Sequence, residues 1–216
     1  MDVWHLVPSP VPKSRPWQHA ADPYPERPMA YTPESGSLNT IPLLRSTPPH
    51  RKRVKTFNEP GHAHLWTFSC YRRIPLLTND LWRTWLSRSI DLALARHRFI
   101  LVAYVFMPDH VHLMVYPLED TYDMAVIKKA VKRPFAAQVK AHLVNSGSPL
   151  LKRLTVRERP GVKCFRFWQE GGGHDRNLFR AETLLKAMEY IHLNPVRKGL
   201  VTSPDRWRWS SWNQYH

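Results

Sequence analysis

The segment Arg98–Pro117, RFILVAYVFMPDHVHLMVYP, decides the fold of this chain. Its first half is a continuous apolar run, which suits a strand in the middle of a sheet. Pro108 and Asp109 then predict a turn, and the second half returns as another strand. We therefore expect an antiparallel hairpin within a larger sheet.

The sequence before this hairpin predicts one strand and one helix. His62–Tyr71 is rich in aromatic and β-compatible residues, which is typical of a strand. Leu77–His97 has apolar residues at helical spacing, and Thr78 or Asn79 is a candidate N-cap. A strand and a helix should therefore precede the hairpin.

The sequence after the hairpin predicts a basic helix over Thr121–Val144, which Pro134 should bend or interrupt. Residues 145–164 show no clear periodicity, and we interpret them as a loop or an insertion. Phe165–Gln169 is a candidate for a short strand. This region should therefore supply a second helix and one more strand.

The last periodic segment, Arg180–Asn194, predicts a helix that ends near Asn194, because Pro195 disfavours helical geometry in the residue before it. The complete order is strand, helix, strand, strand, helix, strand, helix. That order fits an α+β fold, a ferredoxin-like sandwich whose antiparallel sheet carries two helices on one face. The last helix and a ligand would lie near the other face.

The charge of the chain points to a polyanionic partner. The 216 residues include 32 Lys and Arg against 17 Asp and Glu, a net charge of +15. Such a chain favours nucleic acid or acidic lipid, although a soluble enzyme can also be basic. We find no run of 18 apolar residues and no lysine-rich helix with a strong apolar face, so nucleic acid is favoured over a membrane.

The first 60 residues differ in composition from the rest. They hold 12 of the 20 prolines and few aliphatic runs, which predicts a mostly disordered N-terminal arm before a domain at 61–216. The basic run Arg51–Lys55 is either a solvated linker or a phosphate contact. The chain start lacks the apolar centre of a secretory signal, and Cys70 and Cys164 suggest two buried free thiols in a reducing cytoplasm.

His110 and His112 form a His-x-His pair on the second strand of the hairpin. Alternate residues of a strand share a face, so both imidazoles point the same way and could hold one metal ion. Such pairs are more often hydrogen-bonded surface residues, and a metal would need a third ligand. His62 and His64 form a second pair, which leaves open a structural zinc site built from all four histidines.

The final helix places a tyrosine away from its apolar stripe. The core stripe consists of Ala181, Leu184, Leu185, Met188 and Ile191. Tyr190 lies about 200° from Met188 around the helix, and Asn194 shares its side one turn later. Periodicity alone favours a simpler interpretation, in which Tyr190 is a half-exposed residue at the domain edge. His192 lies nearer the stripe and is expected to be a hydrogen-bonded interior histidine.

Three strings of the sequence, in order, resemble the REP-associated tyrosine transposases, a branch of the single-tyrosine HUH transposases. The strings are YVFMPDHVHLMVYP, FWQEGGGHDRNL and YIHLNPVRKGLV, and WRWSSW follows them. The resemblance covers roughly residues 60–212, as judged from the position of these strings. The arm is extra, and residues 145–164 are longer than the family pattern, which puts the DNA specificity in question.

The resemblance implies a ferredoxin-like enzyme that cuts and rejoins single-stranded DNA, often a folded hairpin. It implies that His110 and His112 are metal ligands, that Asn194 is the third ligand where related transposases use Gln, and that Tyr190 is the nucleophile. It further implies a covalent 5′-phosphotyrosine link and a divalent cation, Mg²⁺ or Mn²⁺. The expected location is cytoplasmic and nucleoid-associated, and the expected state is a monomer or a homodimer.

Several basic residues are candidates for binding DNA phosphates, although each is equally well a solvated surface charge. Trp207, Trp209 and Trp212 could stack on unpaired bases or pack the domain edge. A different function remains open: a nucleic-acid-binding protein or repressor of the same fold that does not cut DNA. The candidate cations are Lys128, Lys129, Lys132, Arg133, Arg176, Arg197, Lys198, Arg206 and Arg208.

Overall fold

The computed structural model describes residues 57–215 of the chain. Strands and helices alternate along this region largely as the periodicity predicts. The elements are β1 (Ala63–Ser69), α1 (Asp80–His97), β2 (Phe99–Phe106), β3 (His110–Pro117), α2 (Met124–Asn145), α3 (Leu150–Leu154), β4 (Thr155–Arg159), β5 (Val162–Phe165), β6 (His174–Leu178) and α4 (Ala181–Arg197).

The main sheet has four antiparallel strands in the order β2-β3-β1-β6. β2 and β3 form the hairpin that the sequence predicts, and β1 lies between β3 and β6. This order, with helices between β1 and β2 and between β3 and β6, is that of a ferredoxin-like α+β sandwich. The predicted fold class is confirmed.

Each face of the sheet is covered by different helices. Trp66, Phe68, Val111, Leu113 and Val115 are buried in the cluster that includes residues of α1 and α2. Removing each of these side chains from water stabilises the fold by about 1.5–3 kcal/mol. A second cluster joins the opposite face to α4, with its core residues Ala63, Val102, Val105, Met114, Leu184, Met188 and Ile191.

The helix ends partly differ from the prediction. Asn79 is the N-cap of α1, because its side chain accepts a hydrogen bond from the backbone N–H of Trp82 at 3.2 Å. The helix α2 continues through Pro134, so of the two predicted effects, a bend or an interruption, the interruption is wrong. Pro134 is exposed, and the buried residues Phe135 and Val139 hold the following turns against the core.

The helix α4 also runs past its predicted end at Asn194, to Arg197. Asn194 and Pro195 are both buried, so tertiary packing holds this last turn in helical geometry. The backbone N–H of Leu200 donates to the carbonyl of Pro195 at 3.0 Å and closes the helix end. Packing therefore outweighs the local preference of a residue that precedes proline.

Residues 145–164 are not a loop. They contain the end of α2, the helix α3, the strand β4 and most of the strand β5, and β4 and β5 pair as a separate two-stranded sheet. Phe165–Gln169 is not a strand of the main sheet, although Phe165 ends β5 and Trp168 makes a single bridge to Cys70. The fourth strand is β6, which was not predicted because its polar sequence HDRNL is that of an exposed edge.

Most of the predicted N-terminal arm, including the run Arg51–Lys55, lies outside the described residues. Cys70 and Cys164 are both free, and Cys70 is buried whereas Cys164 is half-buried. Among the helices of residues 57–215, none combines the length and the apolarity that crossing a bilayer requires.

Candidate metal and nucleophile site

The two histidines of β3 lie on the face of the sheet that α4 covers. In the register of β1 and β3, His110 is opposite Ser69 and His112 is opposite Thr67. The two imidazole Nε2 atoms are 3.1 Å apart, and both side chains are almost fully buried. The sequence prediction that both histidines share a face, away from Val111, is confirmed.

Each imidazole is oriented through its other nitrogen. The Nδ1 atom of His110 is 2.6 Å from the carboxylate Oδ1 of Asp109, and the Nδ1 atom of His112 is 2.7 Å from the hydroxyl of Thr67. Because a carboxylate only accepts hydrogen bonds, Asp109 keeps the proton of His110 on Nδ1. The Nε2 lone pair of His110 therefore faces His112. Such partners behind metal-ligating histidines fix ring orientation and tautomer.

Arg73 holds the turn that carries Asp109. Its Nε atom is 3.1 Å from the carboxylate Oδ2 of Asp109, and its Nη1 atom donates to the Ser69 hydroxyl at 2.8 Å. Arg72 and Arg73 have positive φ angles of 53° and 58°, which residues other than glycine rarely adopt. This sharp turn after β1 brings the Arg73 guanidinium to the start of β3.

Burial keeps both imidazoles neutral. Burial, together with the neighbouring charges of His110 and Arg73, lowers the pKa of His112 to about 3. Burial also lowers the pKa of His110, although the hydrogen bond and the charge of Asp109 act in the opposite direction. At neutral pH each ring is thus in the uncharged form that binds metal ions.

The helix α4 brings Asn194 to the same place. Its side-chain Nδ2 is 3.1 Å from the Nε2 atom of His112, and the residue is 3% exposed. Its Oδ1 atom is buried without a hydrogen-bond partner. An unpaired buried carbonyl oxygen is unfavourable, and a cation beside it would remove that penalty. Turning the amide by 180° would present Oδ1 to the histidines instead.

Tyr190 lies one helical turn before Asn194, on the open side of the site. Its ring meets the ring of His112 edge-on, with 5.5 Å between the centroids, and the guanidinium of Arg197 lies 5.4 Å from its ring centre. The side chain is 40% exposed. The predicted position away from the apolar stripe is therefore correct.

Two other residues of α4 test the predicted stripe. His192 is buried and its Nε2 lies 2.8 Å from the Ser211 hydroxyl, as expected for an interior histidine. Leu185 is exposed, so its assignment to the core stripe is wrong. The buried stripe of α4 consists of Leu184, Ala187, Met188 and Ile191, which pack against the apolar surface of the sheet.

The donor atoms at this site suit a divalent cation. His110 and His112 present two imidazole nitrogens, and the Asn194 amide completes a set of three. In the part of the chain that the structure describes, no cluster of three or more His, Cys, Asp or Glu side chains offers another metal site. The two histidines do not provide a partner for the buried Oδ1 of Asn194, whereas a bound cation would.

The alternative zinc site with four histidines is excluded by the register. His64 is opposite Val115 and therefore points to the face away from His112. Its nitrogens are already engaged by the Asp175 carboxylate at 2.9 Å and the Tyr122 hydroxyl at 2.8 Å. His62 stacks on Phe179 at the sheet edge.

The candidate cations on α2 differ in accessibility. Lys128 is buried and pairs with Asp175 at 2.7 Å, so the expected phosphate contact is not available and this prediction is wrong. The pattern of charges along α2 does not reveal this burial, because the partner Asp175 lies on β6. Lys132 is half-buried and donates to the carbonyl of Gly171, and burial lowers its pKa to about 8. Lys129 and Arg133 are exposed.

The remaining candidate cations are exposed in the folded chain. Arg176 belongs to β6 on the same face as Leu65, and Arg197 and Lys198 end α4 beside the site. These three cations are available to an anion. They do not contact the side-chain atoms that could bind the metal ion. Arg206 and Arg208 are also exposed, near the C-terminal tryptophans.

The C-terminal tryptophans mainly pack the domain edge. Trp209 is 5% exposed and donates to the Asp80 carboxylate at 2.7 Å. Trp207 donates to the carbonyl of Phe106 at 3.1 Å, and Trp212 contacts His192. Of the two readings that the sequence left open, packing is correct for Trp207 and Trp209.

Three residues that orient the site were not identified from the sequence. Thr67, Arg73 and Asp109 act behind the histidines, and two of them lie on β1 or just after it. Asp109 directly precedes the His-x-His pair, and this proximity in the chain is the signal that could have identified it. Thr67 and Arg73 become neighbours of β3 only through strand pairing, for which the sequence carries no local signal.

Comparison with known proteins identifies structural relatives. No protein-family model and no curated protein matches the chain. The structure of a REP-associated tyrosine transposase bound to a REP hairpin matches with a TM-score of 0.55 and 19% identity, over 74% of this chain and 82% of that chain. A protein of Deinococcus radiodurans R1, provisionally described as a transposase, matches with a TM-score of 0.40 and 18% identity, over 67% of this chain and 95% of that chain. The first match shows that the two proteins share a fold.

Proposed function

We propose that this chain, which has the fold of a tyrosine transposase, is a metal-dependent endonuclease and strand-transferase that acts on single-stranded DNA. The nucleophile is Tyr190, and His110, His112 and Asn194 are the metal ligands. The observation that carries the proposal is the convergence of these four side chains, from β3 and α4, at one place where Tyr190 is exposed and the other three are buried.

The reaction uses the phenol hydroxyl of Tyr190. Its oxygen attacks the phosphorus of a DNA phosphodiester, the bond from phosphorus to the 3′ oxygen breaks, and a bond from tyrosine to the 5′ phosphate forms. The phenol proton passes to solvent and the released 3′ oxygen takes up a proton. Because the phosphotyrosine link conserves the ester, a 3′ hydroxyl can later attack it and rejoin the strand.

The protein's own residues prepare this reaction. The ring of Tyr190 contacts His112 and Arg197, and the side chain is 40% exposed, so substrate can approach it from solvent. Asp109 and Thr67 hold the imidazoles, which leaves the Nε2 atoms as donors. When bound by these donors, Mg²⁺ or Mn²⁺ supplies charge neutralisation at the scissile phosphate and stabilises the leaving oxygen.

Charge and relatedness support DNA as the substrate. Residues 61–216 carry 24 basic and 12 acidic residues, an excess that favours a polyanion. The structural relative is a tyrosine transposase bound to a REP hairpin. We therefore assign hairpin-forming repeat DNA as the substrate class, and the exposed Lys129, Arg133, Arg176, Arg197 and Lys198 as phosphate contacts.

The decisive experiment is Tyr190→Phe, which removes the nucleophilic oxygen and keeps the ring. A labelled hairpin oligonucleotide with a single-stranded flank is incubated with Mn²⁺ and analysed on a denaturing gel. We expect the covalent adduct to fall below about 10⁻³ of the wild-type level, as for loss of an essential nucleophile. DNA affinity should change less than about twofold, because the phenol contributes one contact among many.

Tyr116→Phe is the matched control, since it removes a hydroxyl at the opposite end of β3 and should leave adduct formation unchanged. A full yield of adduct from Tyr190→Phe would exclude Tyr190 as the nucleophile. Binding of the oligonucleotide without any adduct from the wild-type protein would instead favour a non-catalytic binding protein or repressor.

A further inference from the structure

The hairpin β4–β5 is a separate two-stranded sheet with a strong positive charge. Between residues 152 and 166 its only acidic residue is Glu158. Arg166 is engaged by Glu158 and Glu170, and the other cations of the segment are exposed. Those exposed cations are Lys152, Arg153, Arg157, Arg159 and Lys163.

The charges of this hairpin are arranged unfavourably for its own stability. Arg157 and Lys163 are directly opposite each other across the strand pair. Like charges in that position repel, and a two-stranded hairpin is only marginally stable by itself. Both residues also line a concavity of about 400 Å³ near the turn. An anion seated there would relieve the repulsion.

The core holds the base of the hairpin rigidly, so the repelling cations stay presented to solvent. Leu154 is completely buried, Phe165 packs against the same cluster, and the backbone N–H of Arg166 donates to the carbonyl of Leu154 at 2.8 Å. The tip, around Gly161, has no such packing and is exposed.

The hairpin leaves the domain at the same end of the sheet as the His-x-His pair. The chain that follows β5 pairs with the end of β1: the N–H of Gln169 donates to the carbonyl of Ser69 at 2.8 Å, and the N–H of Tyr71 to that of Phe167 at 2.7 Å. Ser69 is opposite His110 in the sheet. The segment that follows the hairpin and the start of β3 are therefore both joined to the same end of β1.

We infer that the β4–β5 hairpin binds the phosphate backbone of a base-paired DNA stem, while the site cuts the adjoining unpaired strand. This inference rests on the proposed function. The residues 155–164 include no aromatic side chain, whereas proteins that bind unpaired strands use aromatic stacking. A two-stranded ribbon bearing cations instead suits the major groove or backbone of a duplex.

The test compares the wild-type protein with Arg157→Gln/Arg159→Gln/Lys163→Gln. Affinity is measured by fluorescence anisotropy at several salt concentrations, for a hairpin oligonucleotide with a single-stranded flank and for the flank alone. We expect the variant to bind the hairpin oligonucleotide about tenfold or more weakly, and the slope of log K against log salt to fall by about 2–3, near 0.9 per lost phosphate contact. The affinity of the variant for the flank alone should stay within about twofold of the wild-type value. The rate at which it cleaves the flank should stay within the same range.

The control variant, Arg88→Gln/Arg96→Gln/Lys140→Gln, removes three exposed cations of α1 and α2 and lowers the net charge equally. It should bind the hairpin oligonucleotide like the wild-type protein. An equal loss in both variants would overturn the inference, because net charge would then explain it. If the triple variant of β4–β5 loses the same affinity for both oligonucleotides, the inferred preference for a base-paired stem is wrong.

The triple variant of β4–β5 should fold. Its thermal midpoint should equal or exceed that of the wild-type protein, because the repulsion between residues 157 and 163 is removed. The single variant Arg157→Lys keeps the charge and should bind normally, which supplies a second check. If the triple variant binds the hairpin oligonucleotide as tightly as the wild-type protein does, the role of β4–β5 is refuted and the proposed function is not affected. Absence of DNA binding by the wild-type protein refutes the proposed function, and this inference with it.

Discussion

At the scale of single residues, the site depends on which nitrogen of each histidine carries the proton. Asp109 accepts from Nδ1 of His110, and Arg73 holds the Asp109 carboxylate from its other side. Thr67 is the corresponding partner of His112. Partners of this kind increase metal affinity without touching the metal.

We expect Asp109→Asn to weaken Mn²⁺ binding about 10- to 100-fold, because His110 loses a charged acceptor that raises its basicity. The concentration of Mn²⁺ that gives half-maximal adduct formation is the quantity to measure. Asp120→Asn removes an exposed carboxylate elsewhere and serves as the control. An unchanged Mn²⁺ requirement in Asp109→Asn would show that Asp109 does not support a metal ligand.

The buried imidazole of His112 predicts a dependence of stability on pH. Its pKa is lowered from 6.5 to about 3 by burial and by the charges of His110 and Arg73. In the unfolded chain this histidine takes up a proton near its ordinary pKa, whereas the native protein does not. The free energy of unfolding is therefore highest above pH 6.5 and falls as the pH decreases toward 3, by at most about 1.4 kcal/mol per unit.

Urea denaturation of the metal-free protein at pH 7.5, 6.0 and 5.0 measures this effect. Replacement His112→Gln removes the titrating group, so the variant should lose less stability over the same range. His110, whose pKa is also lowered, should account for part of the loss that remains. A pH dependence identical in both proteins would contradict the neutral buried state of His112.

At the scale of elements, the loop before β6 fixes how the edge strand meets β1. Trp66 donates its indole N–H to the carbonyl of Gly172 at 2.7 Å, and Lys132 binds the carbonyl of Gly171 at 2.9 Å. Gly173 has a φ of +84°, and a Cβ there would lie 2.3 Å from the carbonyl oxygen of Thr67. The loop is thus packed directly against the residue that orients His112.

We expect Gly173→Ala to lower the free energy of unfolding by about 2 kcal/mol or more and to reduce adduct formation, because the Thr67 backbone must move. Gly171→Ala is the matched control: its φ is +92°, but nothing lies within 4 Å of the added Cβ. Because only backbone strain is added, the free energy of unfolding of Gly171→Ala should fall by about 1–3 kcal/mol, and its Mn²⁺ requirement should stay unchanged. Equal Mn²⁺ requirements in both variants would show that the contact with Thr67 does not affect the site.

At the scale of the whole molecule, the positive charge belongs mainly to residues 61–216, which hold 24 of the 32 basic residues. The first described residues are tied to this domain. Asn58 accepts a hydrogen bond from the N–H of Met124 at 3.2 Å, and the carbonyl of Glu59 accepts one from the Tyr122 hydroxyl at 2.8 Å. Asn58 and Glu59 therefore contact the residues at the start of α2.

We expect a chain that starts at Phe57 to fold and to form the covalent adduct as the full chain does. The removed segment is proline-rich and poor in aliphatic residues, so it should add little buried apolar surface. The thermal midpoint and the adduct yield are the measurements, with the full chain as the reference. A midpoint lower by more than about 5 °C, equivalent to about 1.3–2.5 kcal/mol for a domain of this size, would show that the arm packs on the domain.

Local patterns were sufficient to predict much of this molecule. Strand alternation placed His110 and His112 on one face and Val111 on the other, and helical periodicity placed Tyr190 away from the core beside Asn194. The central hairpin and the cap of α1 followed from residues adjacent in the chain. These features depend on geometry that repeats every two or 3.6 residues, so a short stretch of sequence contains it.

Other features exist only because distant segments meet. Thr67 and Arg73 reach the site through the pairing of β1 with β3, and β6 becomes a strand because β1 offers it an edge. Lys128 is buried because Asp175, 47 residues away, supplies its partner. Packing also carries α4 through Pro195. Strand register, buried ion pairs and helix ends are set by the balance of contacts in the folded state, which local periodicity does not encode.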